Sequence, residues 1–276
     1  MPKTWFITGT SRGFGREFTL AALERGDLVV ATARDTTSLD ELMPQYPDQL
    51  LTLALDVNSK ADVDRVVEQA VAEFGPIDIV VNNAGYGLFG AIEESGEAAV
   101  RAQFETNFFG ALWVTQAFIP HLREQGFGHI VQISSIGGVA AFPNVGIYNA
   151  SKWALEAMSE ALAIEVADFG IKVTLVEPAL FGTDWPGSSA KRDGQMPEYQ
   201  PMRDAMAARW ASGGAGDPKA AAQALMQVVD AENPPLRVLF GETATHTSKA
   251  VYARRLAEWA EWEQLSIEAG GTPVKL

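Results

Sequence analysis

Seven apolar runs of five or six residues recur along the chain, and stretches of helical periodicity separate them. The runs are Thr4–Thr8, Leu28–Ala33, 50–55, 77–81, 129–133, 171–176 and 236–240. They are continuous rather than alternating, as strands are when both faces of their sheet are covered. Helical spacing runs through 61–74, 96–123, 148–168 and 217–231, and through a stretch that opens near Phe14 and stops at Arg25-Gly26. This alternation predicts a seven-stranded, mostly parallel sheet with helices on both faces, a doubly wound α/β fold. The 276 residues suffice for one large core, so a single domain over 1–276 is expected.

Composition removes several classes of function. With 47% hydrophobic residues the chain is globular. A formal charge of −14 leaves no basic face to neutralise phosphates, so neither nucleic acid nor an anionic membrane surface is an expected partner. The absence of cysteine excludes disulfides and thiolate catalysis and suits a reducing, cytoplasmic location. The N-terminal residues lack the apolar core of a signal peptide, and no eighteen consecutive apolar residues occur. His121, His129 and His246 are scattered without metal-ligand spacing, so no metal site is expected.

Between the first strand and the first helix the chain reads Gly9-Thr10-Ser11-Arg12-Gly13-Phe14-Gly15. Glycines there permit a tight turn and close approach of backbone to a pyrophosphate, which the helix N-terminus then faces. The strand before and the helix after supply the context such a turn requires. At the end of the second strand, NAD-binding proteins usually place an acidic residue on the ribose diol. Here the position falls on Ala33, with Arg34 and Asp35 next. Arg34 and Arg12 can clamp a 2′-phosphate by charge-assisted bonds, so NADP(H) is the expected cofactor. Asp35 would weaken that selectivity if it turned inward.

Tyr148 and Lys152 are one helical turn apart on one face. An ammonium beside a phenol favours the phenolate and moves the phenol toward a working pH. Alone, this spacing is common on surface helices. Ser135, thirteen residues before Tyr148 and at the end of an apolar run, changes its weight, because a serine there points into the crevice of an open α/β sheet. Asn107 lies in the middle of the 96–123 helical stretch, where an asparagine can cap or bend a helix.

Taken together, these motifs resemble the short-chain dehydrogenase/reductase family, a Rossmann-like fold, closely from Lys3 to about Thr183. Thr8-Gly9, Gly13 and Gly15, with Ser11, Arg12 and Phe14 between, match its cofactor turn. Asp56-Val57 matches its adenine-contacting pair, and Asn82-Asn83-Ala84-Gly85 the segment that steadies the central strand. Asn107, Ser135, Tyr148 and Lys152 fall on its catalytic tetrad, and Pro178 to Thr183 on the segment beside the nicotinamide. The resemblance implies that Tyr148 exchanges a proton with the substrate oxygen and that Ser135 donates to that oxygen. It implies that Lys152 tunes the phenol and binds the nicotinamide ribose, and that Asn107 holds a water linking Lys152 to solvent. It also implies a homo-oligomer, a dimer at least, built on the 96–123 and 148–168 helices, with Phe104, Phe108, Ala111 and Trp153 as interface candidates. One departure is Ala179, where the family commonly has glycine.

The expected function is therefore an NADP(H)-dependent ketoreductase or alcohol dehydrogenase acting on a small-molecule carbonyl or alcohol. The rival is a catalytically silent NADP(H)-sensing binding or regulatory protein of the same fold. A third reading, an interaction protein, rests only on Trp259, Trp262 and Leu265 in a C-terminal helix over 247–265, which are expected to pack on the body or a partner subunit. Residues 180–216 are rich in glycine, proline and serine and read as an irregular lid. Tyr86, Leu88, Phe89, Phe142, Leu180, Phe181 and Trp185 would give the substrate an apolar wall, suited to a bulky or hydrophobic compound.

Overall fold

The computed structural model describes residues 2–272. β1 (Thr4–Thr8) passes through the glycine turn into α1 (Gly13–Glu24), then β2 (Leu28–Ala33), β3 (Leu50–Ala54), α2 (Lys60–Phe74) and β4 (Ile79–Asn82). A short strand, β5 (Leu88–Phe89), precedes α3 (Glu97–Phe104) and α4 (Ala111–Gln125), which a π-helical turn at Glu105–Gly110 joins. β6 (Gly128–Ile133), α5 (Gly146–Glu165) and β7 (Ile171–Pro178) follow. Beyond them come β8 (Lys191–Arg192), α6 (Gln200–Ser212), α7 (Pro218–Asp230), β9 (Arg237–Phe240), α8 (Glu242–Glu261) and α9 (Glu263–Glu268).

The main sheet has seven strands in the order β3-β2-β1-β4-β6-β7-β9, and every pairing is parallel. The chain winds outward from β1 in one direction and from β4 in the other. Their carboxyl ends therefore flank a switch point, where such sheets open a crevice. The strands are apolar throughout because two cores need them. Trp5 and Ile7 enter the layer with Phe18 and Leu225, while Phe6 enters the layer with Phe118 and Leu122 on the opposite face. Burying a side chain of this kind contributes roughly 1.5–3 kcal/mol.

Local chemistry sets the helix ends. Ser59 Oγ accepts from Asp62 N–H at 3.2 Å to start α2, and Gly75 ends it. Asp217 caps α7 by accepting from Lys219 N–H at 2.9 Å, with Pro218 at the first helical position.

Two regions differ from the sequence expectation. Residues 180–216 are not irregular: they contain β8, which pairs with β5, and the 13-residue α6. The C-terminal helix begins at Glu242 and, with α9, reaches Glu268. Its aromatics do not pack on the body, since Trp259 and Trp262 are 65% and 60% exposed. Among the described residues no helix is long and apolar enough to cross a membrane, and no cluster of potential metal ligands forms.

Candidate active site

The glycine turn closes at the carboxyl end of β1. Gly9 and Gly13 have φ of +71° and +57°, values that a side chain would strain. Gly15 serves close approach instead, because a Cβ there would sit 2.3 Å from Gly9 O. Asn83 staples the turn to β4: its Nδ2 donates to Thr8 O at 2.8 Å and Gly9 O at 3.0 Å. Thr8 Oγ1 accepts from the N–H groups of Asn83 and Ala84, both at 3.0 Å. No side chain caps α1, so the N–H groups of its first turn remain for an anion.

This turn borders a cavity of about 710 Å³ at the switch point. Its lining includes Gly9, Ser11, Arg12, Gly13, Phe14, Arg34, Asp56, Val57, Asn83, Ala84, Gly85, Ser135, Tyr148, Lys152, Pro178 and Thr183. Of the catalytic and cofactor-binding candidates, Gly15 and Asn107 are outside this lining. Asp35 is also outside the lining; its carboxylate accepts from Thr37 N–H at 3.0 Å, which turns it away. Arg34 is exposed at the rim, and Arg12 donates to Ser188 Oγ at 3.1 Å. Asp56 Oδ1 accepts from Asn58 N–H at 3.1 Å, while buried Val57 backs Gly110. Ala179 costs no strain, because Asn144 is the one described non-glycine residue with positive φ.

The four tetrad candidates converge from three elements. Tyr148 and Lys152 project from α5 and are 6% exposed each. The Ser135 hydroxyl, just past β6, hydrogen-bonds the Tyr148 phenol and accepts from Gly137 N–H at 2.9 Å. Lys152 Nζ donates to Ile133 O at 2.7 Å and lies 6.0 Å from the centroid of the Tyr148 ring. Asn107 sits in the π-helical turn, a distortion that frequently marks functional sites. Its Oδ1 accepts from Tyr86 N–H at 3.1 Å and its Nδ2 donates to Tyr86 O at 3.0 Å. Ser134, next to Ser135, turns instead toward Glu156.

The electrostatics correct one expectation. Burial pushes the Tyr148 phenol up to about 12, and the Ser135 hydrogen bond only partly offsets this. Burial also pushes Lys152 down to about 8, opposed by the charge of Glu156. Desolvation thus outweighs the Ser135 hydrogen bond, and the phenol holds its proton at neutral pH.

Residues of the 180–216 segment close the other end. Trp185 contacts Tyr148, Phe89 and Trp210, with ring centroids at 5.0, 5.3 and 6.5 Å. Tyr86, Phe142, Leu180, Phe181 and Trp185 line the cavity as expected, whereas Leu88 and Phe89 are buried behind it. The sequence reading missed Lys191, Met206 and Trp210, which also line it. Met202, Met206 and Trp210 are spaced four apart, a stripe that signals a helix within the supposed loop.

A family model described as short chain dehydrogenase matches residues 3–193. Oxidoreductase BOA17 of Botryotinia fuckeliana is 39% identical over 97% of this chain and 99% of its own length. A 3-ketodihydrosphingosine reductase of Bacteroides thetaiotaomicron is 36% identical over 87% of this chain and 88% of its own. The crystal structure of a short-chain dehydrogenase from Streptomyces avermitilis superimposes with a TM-score of 0.90 at 40% identity, covering 99% of both chains. A short chain dehydrogenase from Burkholderia cenocepacia, crystallised in complex with NADP, superimposes with a TM-score of 0.75 at 25% identity over 94% of this chain and 97% of its own.

Proposed function

This chain belongs to the short-chain dehydrogenase family, and we propose that it is an NADP(H)-dependent oxidoreductase interconverting a bulky, apolar ketone and its alcohol. One observation carries the proposal: the Ser135 hydroxyl, the proton-loaded Tyr148 phenol and the Lys152 ammonium border the same cavity as the glycine turn. The turn fits a dinucleotide because a Cβ at Gly9, Gly13 or Gly15 would be strained or crowded where a pyrophosphate must approach. Arg34 and Arg12, with Asp35 turned away, support a 2′-phosphate. The cofactor supplies the hydride.

The protein's part is placement and protons. In reduction Tyr148 gives its phenolic proton to the substrate oxygen, and Ser135 donates a hydrogen bond to the charge developing there. Lys152 carries positive charge beside the ribose end of the cavity, while Asn107 fixes the Gly85-Tyr86 backbone next to it. Phe142, Trp185, Met206 and Trp210 exclude water and favour apolar substrates. The 3-keto substrate named for the Bacteroides relative supports this class. A dimer at least is proposed through α4 and α5; Trp153 and Ile164, both on α5, are 40% and 77% exposed.

A panel of aliphatic, aromatic and long-chain ketones, assayed with NADPH and with NADH, tests the proposal. Turnover of bulky ketones with preference for NADPH is expected. Tight NADPH binding without turnover of any ketone or alcohol would favour the sensor reading.

A further inference from the structure

Behind the reacting groups lies a second set of ionisable side chains. Glu156 stands one turn after Lys152 on α5, and Glu177 lies in β7 directly before Pro178. They are 6% and 2% exposed. One guanidinium answers both: Arg237, on edge strand β9, donates Nε to Glu156 Oε2 at 3.0 Å and lies 3.5 Å from Glu177 Oε1. The same side chain also donates Nη2 to Glu160 Oε2 at 2.6 Å, so its charge is divided among three carboxyls.

If both buried carboxyls are ionised, the Glu177 oxygen is left without a hydrogen bond. Glu156 Oε1, Glu177 Oε1 and the Ser134 hydroxyl are all buried; Ser134 faces Glu156 and can donate to it, Glu177 Oε1 has no hydrogen-bond donor, and the two carboxyls lie within hydrogen-bonding reach of each other. A proton between them satisfies both oxygens and leaves one net negative charge facing Arg237. Burial raises both groups, and repulsion from Glu156 helps to push Glu177 up to about 8. Such a proton belongs to the pair and not to either residue.

We propose that Glu156 and Glu177 hold one proton between them, and that this singly charged pair is a positioning counter-charge that keeps the buried Lys152 protonated. The inference rests on the reading of Lys152 as part of the reacting site. Burial works to discharge that lysine, and Glu156, on the same face one turn along α5, opposes it. As the pH rises the pair releases its proton, and a second negative charge develops beside Lys152 where the ammonium would otherwise be lost. The groups around the pair are Lys152 and Glu160 on α5, Ser134 just past β6 and Arg237 on β9. Neither carboxyl touches substrate in this scheme; both act through Lys152.

Two measurements on the whole 276-residue chain, both without substrate or cofactor, test this. Infrared spectroscopy of the wild type at pH 7, with Glu177→Gln as reference, should show the carbonyl stretch of a protonated carboxylic acid that fades as the pH is raised. Carbon-detected titration of lysine Cε, tractable with eight lysines and assigned with Lys152→Arg, should give Lys152 a midpoint that falls by about one pH unit or more in Glu156→Gln. A wild type with no protonated carboxyl at pH 7 overturns the proposal, and that reading needs no folded variant. A Lys152 midpoint unmoved in Glu156→Gln, with only thermal stability changed, leaves Glu156 a purely structural residue and overturns it as well. Failure of the ketone panel would leave both readouts intact, so the two proposals fail separately.

Discussion

The ring centroid of Trp185 lies 5.0 Å from that of Tyr148, with the planes tilted by 58°. Trp185 thus covers the phenol that is proposed to donate the proton. Trp185→Ala removes that cover and the contacts to Phe89 and Trp210. Loss of a buried aromatic of this kind costs about 3–5 kcal/mol in a core and less at a cavity rim. The variant is expected to raise KM for apolar ketones at least about tenfold while NADPH affinity changes little. Steady-state kinetics with a titration of NADPH separate the two.

Arg34 stands exposed at the rim with no acidic neighbour turned inward, since Asp35 bonds Thr37 N–H. A hydrogen bond to a charged group contributes about 1.5–3 kcal/mol, so Arg34→Ala should weaken NADPH roughly tenfold or more. NADH affinity should stay within about twofold. Calorimetric titration of both cofactors checks this, and equal losses would mean that Arg34 acts on the fold.

Glu94 ties the 196–203 stretch to the body. Its buried carboxylate accepts from Ala91 N–H at 2.8 Å and Met196 N–H at 2.5 Å, and from Arg203 Nη1 at 2.9 and 3.1 Å. The Ala91 hydrogen bond, followed by those from Arg203 and Met196, holds the Glu94 carboxyl below its usual range despite burial. Arg203→Met should speed amide exchange over 191–212 by about tenfold or more while leaving the main sheet protected. Uniform exchange across the molecule would show global destabilisation instead of local release of this segment.

His129 sets an acid limit. It is 3% exposed, bonds Thr174 Oγ1 at 2.9 Å, and burial pushes it down to about 4. Between pH 6.5 and about 4 the unfolded chain binds a proton that the native imidazole refuses, so stability falls as the pH falls through that window. The loss approaches about 3 kcal/mol when complete. Urea unfolding of His129→Gln at a series of pH values should show a shallower acid limb than the wild type.

The parts of this molecule that were legible in the sequence follow from two periodicities and one turn. Continuous apolar strands between amphipathic helices specify a covered parallel sheet, and Gly9, Gly13 and Gly15 could stand together only where backbone and ligand come close. Helix α6 was hidden because its mostly exposed surface, including Ala207, Ala208 and Arg209, blurs the stripe of Met202, Met206 and Trp210. The π-helical turn at Asn107 leaves no mark in an apolar pattern of period 3.6. Trp259 and Trp262 do not pack on their own body, because apolar residues are often exposed and size alone does not bury them. Nothing in the sequence singles out Glu156, because Glu177 and Arg237 come beside it only in the folded chain.

The most direct test of the account is turnover by Tyr148→Phe, measured with NADPH and the best ketone for the wild type. The phenol is buried, proton-loaded and bonded to Ser135, so its hydroxyl is the donor that this scheme cannot replace. A loss of about 100-fold or more in kcat, with NADPH affinity nearly unchanged, is expected. A variant that keeps most of its turnover would contradict the proton-donor role and, with it, the proposed chemistry of the site.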